Sequence, residues 1–163
     1  MCRIESVTEE MIPAVAPLAA QFRVALKSYK GITAVPDEAA GAAEMREYLD
    51  AGYPVFAAVK DNTCCGYLVC RVDEPCVWVE SIFVLQAFRK QGIGTALFRK
   101  AEELASSFGE DTVYNYVHPN NEGMIAFLKT RGYSVLNLIE IRKPYAGEQL
   151  TQKIPVGENE FDY

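Results

Sequence analysis

Basic residues are scarce in this sequence. The 163 residues include 16 Lys and Arg against 22 Asp and Glu, so the formal net charge is −6, and Lys and Arg form no extended run. A negatively charged surface repels the phosphate backbone of nucleic acids. We therefore expect no nucleic-acid partner.

Long apolar runs are also missing. Residues 12–20 form the longest, but prolines interrupt it, and it is shorter than the roughly 18 residues that a membrane-spanning helix needs. The N-terminus lacks the basic region, apolar core and small-residue cleavage site of a secretory signal. The sequence predicts no membrane partner and a cytoplasmic protein.

Histidine occurs once, as His118, and the five cysteines include no CxxC pair. One histidine and scattered cysteines do not provide the ligand spacing of a zinc site. We expect no metal, and we interpret the cysteines as small apolar residues on strands.

Hydrophobic periodicity predicts strands interleaved with helices. The β-rich or alternating runs are residues 3–7, 55–60, 65–72, 77–84, 112–117 and, as one or two strands, 133–142. Helices are predicted from an N-cap at Thr8 to Gly31, at 37–50, from Gly92 to Phe108, and at 120–130. The three successive strands between 55 and 84 are expected to be antiparallel. The pattern indicates one α/β domain.

The most informative stretch is residues 80–95, where a strand is followed by a short loop with two glycines and the start of a helix. Free amides at a helix N-terminus carry partial positive charge, and glycine lets a phosphate approach the backbone closely. Arg89 and Lys90 add positive charge nearby. The stretch fits a pyrophosphate site, while a loop that needs glycine only for its turn is the alternative.

Residues 89–94, Arg-Lys-Gln-Gly-Ile-Gly, match in full the acetyl-CoA motif of the GNAT superfamily of N-acetyltransferases, which is Arg or Gln, two residues, Gly, one residue, then Gly or Ala. Residues 117–133 resemble a second family block, in which a strand end, an Asn and a helix closing on Gly-Phe or Gly-Tyr flank the coenzyme. The resemblance implies an α/β (α+β) fold with a mixed, mostly antiparallel central sheet flanked by helices. It places the GNAT domain at 1–146 and a C-terminal extension at 147–163.

The resemblance also implies a coenzyme site. The backbone of Ile82 and Val84 is expected to lie along the pantetheine arm, and an amide there to polarise the thioester carbonyl. Asn121 matches a family Asn that reaches the coenzyme arm, and a helix cap is an equally natural role for it. The expected coenzyme-binding residues are Ile82, Phe83, Val84, Arg89, Lys90, Gln91, Gly92, Ile93, Gly94, Thr95 and Asn121.

Acetyl transfer to an amine requires a base, because an ammonium group has no lone pair with which to attack the thioester. Glu80 matches a Glu of family members that acetylate small amines, and an outward-facing strand residue is the alternative. His118 is the second candidate base, since its ordinary pKa lies near neutrality. Many members carry a Tyr acid at the position of Leu128, so Tyr116 or Tyr114 is the candidate replacement unless both rings only pack.

The expected function is acetyl transfer from acetyl-CoA, the cosubstrate, to the primary amine of a small molecule or a peptide. A coenzyme A-binding sensor with little catalysis and a protein lysine or N-terminal acetyltransferase are the alternatives, and no binding signature identifies the acceptor. In the tail, apolar residues alternate with polar ones on either side of a Gly-Glu-Asn turn. This pattern predicts a short strand or hairpin, docked on its own subunit or at the interface of a homodimer.

Overall fold

The computed structural model describes residues 1–163, which form two units, Met1–Phe127 and Leu128–Tyr163. The first contains β1 (Cys2–Ser6), α1 (Ile12–Ser28), α2 (Glu38–Asp50), β2 (Val55–Lys60), β3 (Thr63–Asp73), β4 (Cys76–Val84), α3 (Ile93–Ser107) and β5 (Tyr114–Asn115). Helix α4 (Glu122–Thr130) contains the boundary between the units, and the second unit ends in β6 (Lys153–Val156) and β7 (Asn159–Asp162). None of the helices is long and apolar enough to cross a membrane.

The strands of the first unit form one sheet in the order β1-β2-β3-β4-β5. The first three pairs are antiparallel, and β4 and β5 are parallel. Antiparallel neighbours need only short turns, whereas a parallel pair needs a crossover connection, which here contains α3. The predicted mixed, mostly antiparallel sheet flanked by helices is confirmed.

Different helices cover the two faces of this sheet. Side chains alternate along a strand, so neighbouring residues contact different helices. On one side, Tyr67 of β3 belongs to a core with Val15 of α1 and Met45 of α2. Its neighbour Gly66 points the other way, where an added Cβ would lie 3.1 Å from the Leu97 side chain of α3. We call the first side the α1 face and the second the α3 face.

Helices α1 and α2 approach each other closely at Gly41. A Cβ atom at this position would lie 2.4 Å from the carbonyl oxygen of Ala16, so only glycine fits. The sequence shows α2 as an alanine-rich helix with a weak apolar face, and this close contact explains how such a helix is held. Its predicted start is correct, since the Asp37 side chain accepts a hydrogen bond from the Ala40 amide at 2.9 Å.

The predicted beginning of α1 and the predicted length of β5 are wrong. Thr8 makes no side-chain cap hydrogen bond, and a 3₁₀ turn at Glu9–Met11 precedes the helix. Residues 112–117 were expected to form a strand, but β5 contains only Tyr114–Asn115, because only these two residues pair with β4.

The prediction of one or two strands at residues 133–142 is wrong as well. This segment contains no strand, and its Val135, Leu136 and Leu138 side chains are exposed. Strand propensity depends on cross-strand packing, and no strand pairs with this segment. The tail does form a hairpin, in which β6 and β7 pair from Lys153↔Asp162 to Val156↔Asn159.

Candidate active site

The sheet opens between β4 and β5. The two strands pair only at Trp78↔Tyr114 and Val79↔Asn115, and β4 then continues to Val84 while β5 has ended. The backbone of β4 beyond Val79 therefore has no strand partner on this side. An extended chain carrying amide groups can pair with such an edge as an added strand does.

The loop after β4 leads to the N-terminus of α3, as the sequence predicts. Gly92 precedes the helix with φ 80°, a left-handed conformation that glycine adopts without strain. No side chain caps the helix, and its first internal bond runs from the Ala96 amide to the Gly92 carbonyl. The amides of Ile93, Gly94 and Thr95 consequently have no partner within the helix.

Gly94 leaves space beside these amides. A Cβ atom at Gly94 would make only ordinary contacts, 3.8 Å from Phe127 and 3.9 Å from Val84. Packing within the protein therefore does not require glycine at this position. Free amides and an uncrowded backbone together fit a bound pyrophosphate.

Two side chains of the motif hold the loop against β4. The Arg89 Nε donates to the Val84 carbonyl at 2.9 Å, and its guanidinium lies 5.5 Å from the centre of the Phe83 ring. Gln91 donates to the Ala87 carbonyl at 3.1 Å and accepts from Lys60 Nζ at 2.8 Å. These contacts fix the loop geometry, and direct contacts of either side chain with a coenzyme stay predictions.

Glu80 lies at a β-bulge in β4. Val69 pairs with Ser81 and Cys70 with Val79, so Glu80 is the extra residue. Its carboxylate lies 3.7 Å from Arg71 Nη1, and the side chain is 29% exposed. Its Oε2 is buried and has no hydrogen-bond partner. Because Arg71 and Tyr67 both project to the α1 face, this contact places Glu80 on that face.

A polar cluster from α1, α2, β3 and β4 also lies on the α1 face. Arg23 Nε donates to Glu44 Oε2 at 2.7 Å, and Arg23 Nη2 lies 3.3 Å from the Tyr48 hydroxyl. Hydrogen bonding to Glu44 raises the pKa of Arg23, while burial raises the pKa of Tyr48 to about 12. On the sheet below, the buried hydroxyls of Tyr67 and Ser81 are 2.7 Å apart. Sequence reasoning missed this cluster, because its members are distant along the chain.

His118 is held in a different set of contacts. Its Nδ1 accepts a hydrogen bond from the Asn120 amide at 3.2 Å, and its ring stacks on Tyr29 with centroids 5.6 Å apart. Burial, with a smaller contribution from Lys30, lowers the pKa of His118. Asn121 accepts a hydrogen bond from the Met124 amide at 3.1 Å, as a helix cap does. The cap role is therefore observed, and contact of Asn121 with a coenzyme stays a prediction.

Tyr116 lies just beyond the end of β5 and stacks on Trp78 with centroids 4.8 Å apart. Burial lowers the pKa of Arg71, but a hydrogen bond with Tyr116 and the charges of Asp73 and Glu80 outweigh it and raise that pKa. Tyr116 and Glu80 thus both interact with Arg71. Leu128, at the position where many GNAT members carry a Tyr, is buried.

Comparison with known proteins finds related sequences and folds. A model of the acetyltransferase (GNAT) family matches residues 22–133. "Probable N-acetyltransferase san" of Drosophila melanogaster is 27% identical over 99 residues, which is 58% of this chain and 54% of that protein. The chain thus spans about half the length of this relative.

Solved structures share the fold at low identity. AAC(6')-Iy in complex with the bisubstrate analogue CoA-S-monomethyl-acetylneamine is 21% identical, with a TM-score of 0.68, and the match covers 89% of this chain and 99% of that one. Ribosomal-protein-alanine N-acetyltransferase from Brucella melitensis biovar Abortus 2308 is 15% identical, with a TM-score of 0.68 over 89% of this chain and 100% of that one. Because the family model spans more than half of the sequence and the folds agree, this chain belongs to the GNAT acetyltransferase family.

Proposed function

We propose that the protein transfers the acetyl group of acetyl-CoA to the primary amine of a small molecule. The observation that supports this most strongly is the opening between β4 and β5. The uncapped N-terminus of α3 follows the far end of β4, and the Glu80 carboxylate lies where the two strands part. One strand thus connects an anion-binding helix end with a candidate base.

The residues at the opening fit the coenzyme. The free amides of Ile93, Gly94 and Thr95 would hold the pyrophosphate, with Lys90 adding positive charge. Ile82 and Val84 lie where β4 has no strand partner on this side, and their backbone groups would face the pantetheine arm, although the Val84 carbonyl already accepts from Arg89 Nε. Such donors and acceptors bind an extended amide chain without a change in the backbone of the protein.

Glu80 is the base that the geometry favours. Its side chain is 29% exposed, so the carboxylate can accept a proton from an ammonium group on the α1 face. The neutral amine then attacks the thioester carbon, the N–C bond forms, the C–S bond breaks, and the sulfur leaves as a thiolate. The amide nitrogen releases its second proton to solvent. His118 is less suited, since its Nδ1 lone pair already accepts from Asn120. Tyr116 stays the candidate donor of a proton to the thiolate.

The neighbours support an amine acceptor without naming one for this chain. Aminoglycoside acetyltransferases and a ribosomal-protein-alanine acetyltransferase share its fold. We place the acceptor on the α1 face, and a peptide amine is the second acceptor class. Thiol release from acetyl-CoA, measured across small amines and N-terminal peptides, tests this proposal. Release that no amine accelerates would refute it.

A coenzyme A-binding sensor is the second candidate function. The observation that favours it is Leu128, a buried apolar residue at the usual position of the Tyr acid. In that case acetyl-CoA would raise the melting temperature, while no amine would accelerate thiol release. The same two measurements therefore separate the sensor from the enzyme.

We also propose that the protein is located in the cytosol and forms a homodimer. All five cysteines are free thiols, which suits a reducing compartment. The hairpin of β6 and β7 offers strand edges on which a second subunit can dock.

A further inference from the structure

Three aromatic rings, one from β4, one from β5 and one just beyond the end of β5, stack on the α1 face of the sheet. Trp78 lies 4.7 Å from Tyr114 and 4.8 Å from Tyr116 between ring centroids, with interplanar angles of 30° and 14°. Trp78 pairs with Arg71 in β3 and with Tyr114 in β5, and paired residues share a face. Tyr116, two residues after Tyr114, projects to the same face. We call Trp78, Tyr114 and Tyr116 the aromatic platform.

One ring of the platform is open to solvent. Tyr116 is 65% exposed, whereas most of the large apolar and aromatic side chains of the first unit are covered. A tyrosine ring that is already held flat against Trp78 loses little freedom when a ligand stacks on it. The platform is therefore a preformed surface for a planar group.

The platform and the proposed base share one charged residue. The Arg71 guanidinium lies 5.4 Å from the centre of the Trp78 ring, 3.7 Å from Glu80 and 3.1 Å from Asp73. The Arg71 guanidinium thus lies near two carboxylates, and the three groups together carry a net charge of −1. Two other carboxylates on this face have cations of their own, Glu44 with Arg23 and Glu5 with Arg3. A ligand with one positive charge would balance this surface, whereas a ligand with several would not.

Spacing along β4 relates the ring to the carboxylate. Trp78 and Glu80 are two residues apart, which is at most roughly 7 Å along the strand, because the bulge at Glu80 bends it. A side arm of about three bonds of roughly 1.5 Å between a ring and its amine nitrogen, together with a hydrogen bond of about 2.9 Å to the carboxylate, covers a similar span. The ring of such a ligand would stack on the platform while its ammonium group reaches Glu80.

We propose that the aromatic platform binds the acceptor, and that the acceptor is an arylalkylamine with a single positive charge. This inference rests on the proposed acetyl transfer, for which it names the acceptor class. It excludes polyamines and amino sugars with several ammonium groups as preferred acceptors. Tyr116 and Trp78 determine specificity for the ring, and Glu80 holds the amine end.

The single tryptophan gives a direct test, because Trp78 is the only one in the chain and its fluorescence reports on the platform. The protein is titrated with 2-phenylethylamine, with hexylamine as the ring-free control and with spermidine as the polycation. We expect a saturable change of Trp78 fluorescence with 2-phenylethylamine and no such change with hexylamine or spermidine. In acetyl transfer, kcat/KM should favour 2-phenylethylamine over hexylamine by about 3- to 10-fold, the scale of one aromatic contact.

Two variants at one position separate the ring from the hydroxyl. Tyr116→Phe should keep the preference for 2-phenylethylamine over hexylamine, and Tyr116→Ala should reduce this ratio to about one. Equal use of both amines by the unsubstituted protein, or a preference for spermidine, would overturn the inference and leave acetyl transfer intact. Absence of any transfer would refute the proposed function instead, while the fluorescence titration, which needs no acetyl-CoA, would still test the platform.

Discussion

Replacement of Glu80 by Gln removes the negative charge of the proposed base and keeps the size of the side chain. The fold should tolerate this change, because Arg71 retains its ion pair with Asp73 at 3.1 Å. The Glu80 side chain is partly exposed, so we expect the free energy of unfolding to change by less than about 1 kcal/mol. Any larger loss of activity then reports on chemistry.

The size of that loss follows from the fraction of neutral amine in solution. An alkylamine with a pKa of about 10.4 is about 0.1% neutral at about pH 7.4 and about 10% neutral at about pH 9.4. A variant without the base can use only this fraction. We therefore expect kcat/KM of Glu80→Gln to fall by about 10²- to 10³-fold at the lower pH, and by only about tenfold at the higher pH.

Initial rates of thiol release at saturating acetyl-CoA, measured from neutral to alkaline pH, provide the assay. Melting temperatures with and without acetyl-CoA confirm that the variant folds and binds the coenzyme. His118→Ala is the comparison variant, since His118 is the second candidate base. Parallel pH profiles of the unsubstituted protein and Glu80→Gln would refute the role of Glu80, and a change of profile in His118→Ala alone would transfer that role to His118.

Three further predictions concern binding, packing and the tail. Acetyl-CoA should raise the melting temperature, and Gly92→Asp should abolish most of this rise. The control variant Gly92→Asn introduces a side chain that also tolerates a positive φ but is neutral, so it should keep more of the rise. Equal rises in the two variants would refute the pyrophosphate site. In a denaturant titration, Gly41→Ala should lower the free energy of unfolding by about 1–3 kcal/mol, because its Cβ would lie 2.4 Å from the Ala16 carbonyl oxygen. The control is Gly123→Ala, whose Cβ would meet nothing nearer than 3.9 Å. This control should leave the free energy of unfolding unchanged or raise it by up to about 1 kcal/mol. Truncation after Gly147 removes the hairpin of β6 and β7, and light scattering should show a shift from dimer to monomer with a lower melting temperature; an unchanged mass and melting temperature would mean that the tail contributes to neither.

Local sequence signals predicted the coenzyme side of the site. The β-rich run of β4, the glycine at 92 and the apolar repeat of α3 follow one another within one short segment. Each is readable without knowledge of the rest of the chain, because strand propensity, left-handed glycine and helical periodicity act over a few residues. The structure accordingly has β4, the loop and α3 where the sequence predicts them.

The acceptor side could not be predicted in this way, because it depends on contacts between distant segments. The bulge at Glu80 exists only in the register of β4 against β3. Arg23 and Glu44 are 21 residues apart, and each alone resembles a solvated helix residue. The failed prediction of strands at 133–142 has the same origin, since apolar alternation indicates a strand but does not supply the strand that pairs with it.

The mass of the acceptor after reaction tests the central claim most directly. The protein is incubated with a primary amine and with acetyl-CoA whose acetyl group carries deuterium, and the products are analysed by mass spectrometry. Transfer to the amine predicts one labelled acetyl group per acceptor, at a rate that depends on the protein and is strongly reduced in Glu80→Gln. Thiol release with an unlabelled amine, or labelled acceptor formed equally well without the protein, would contradict the account.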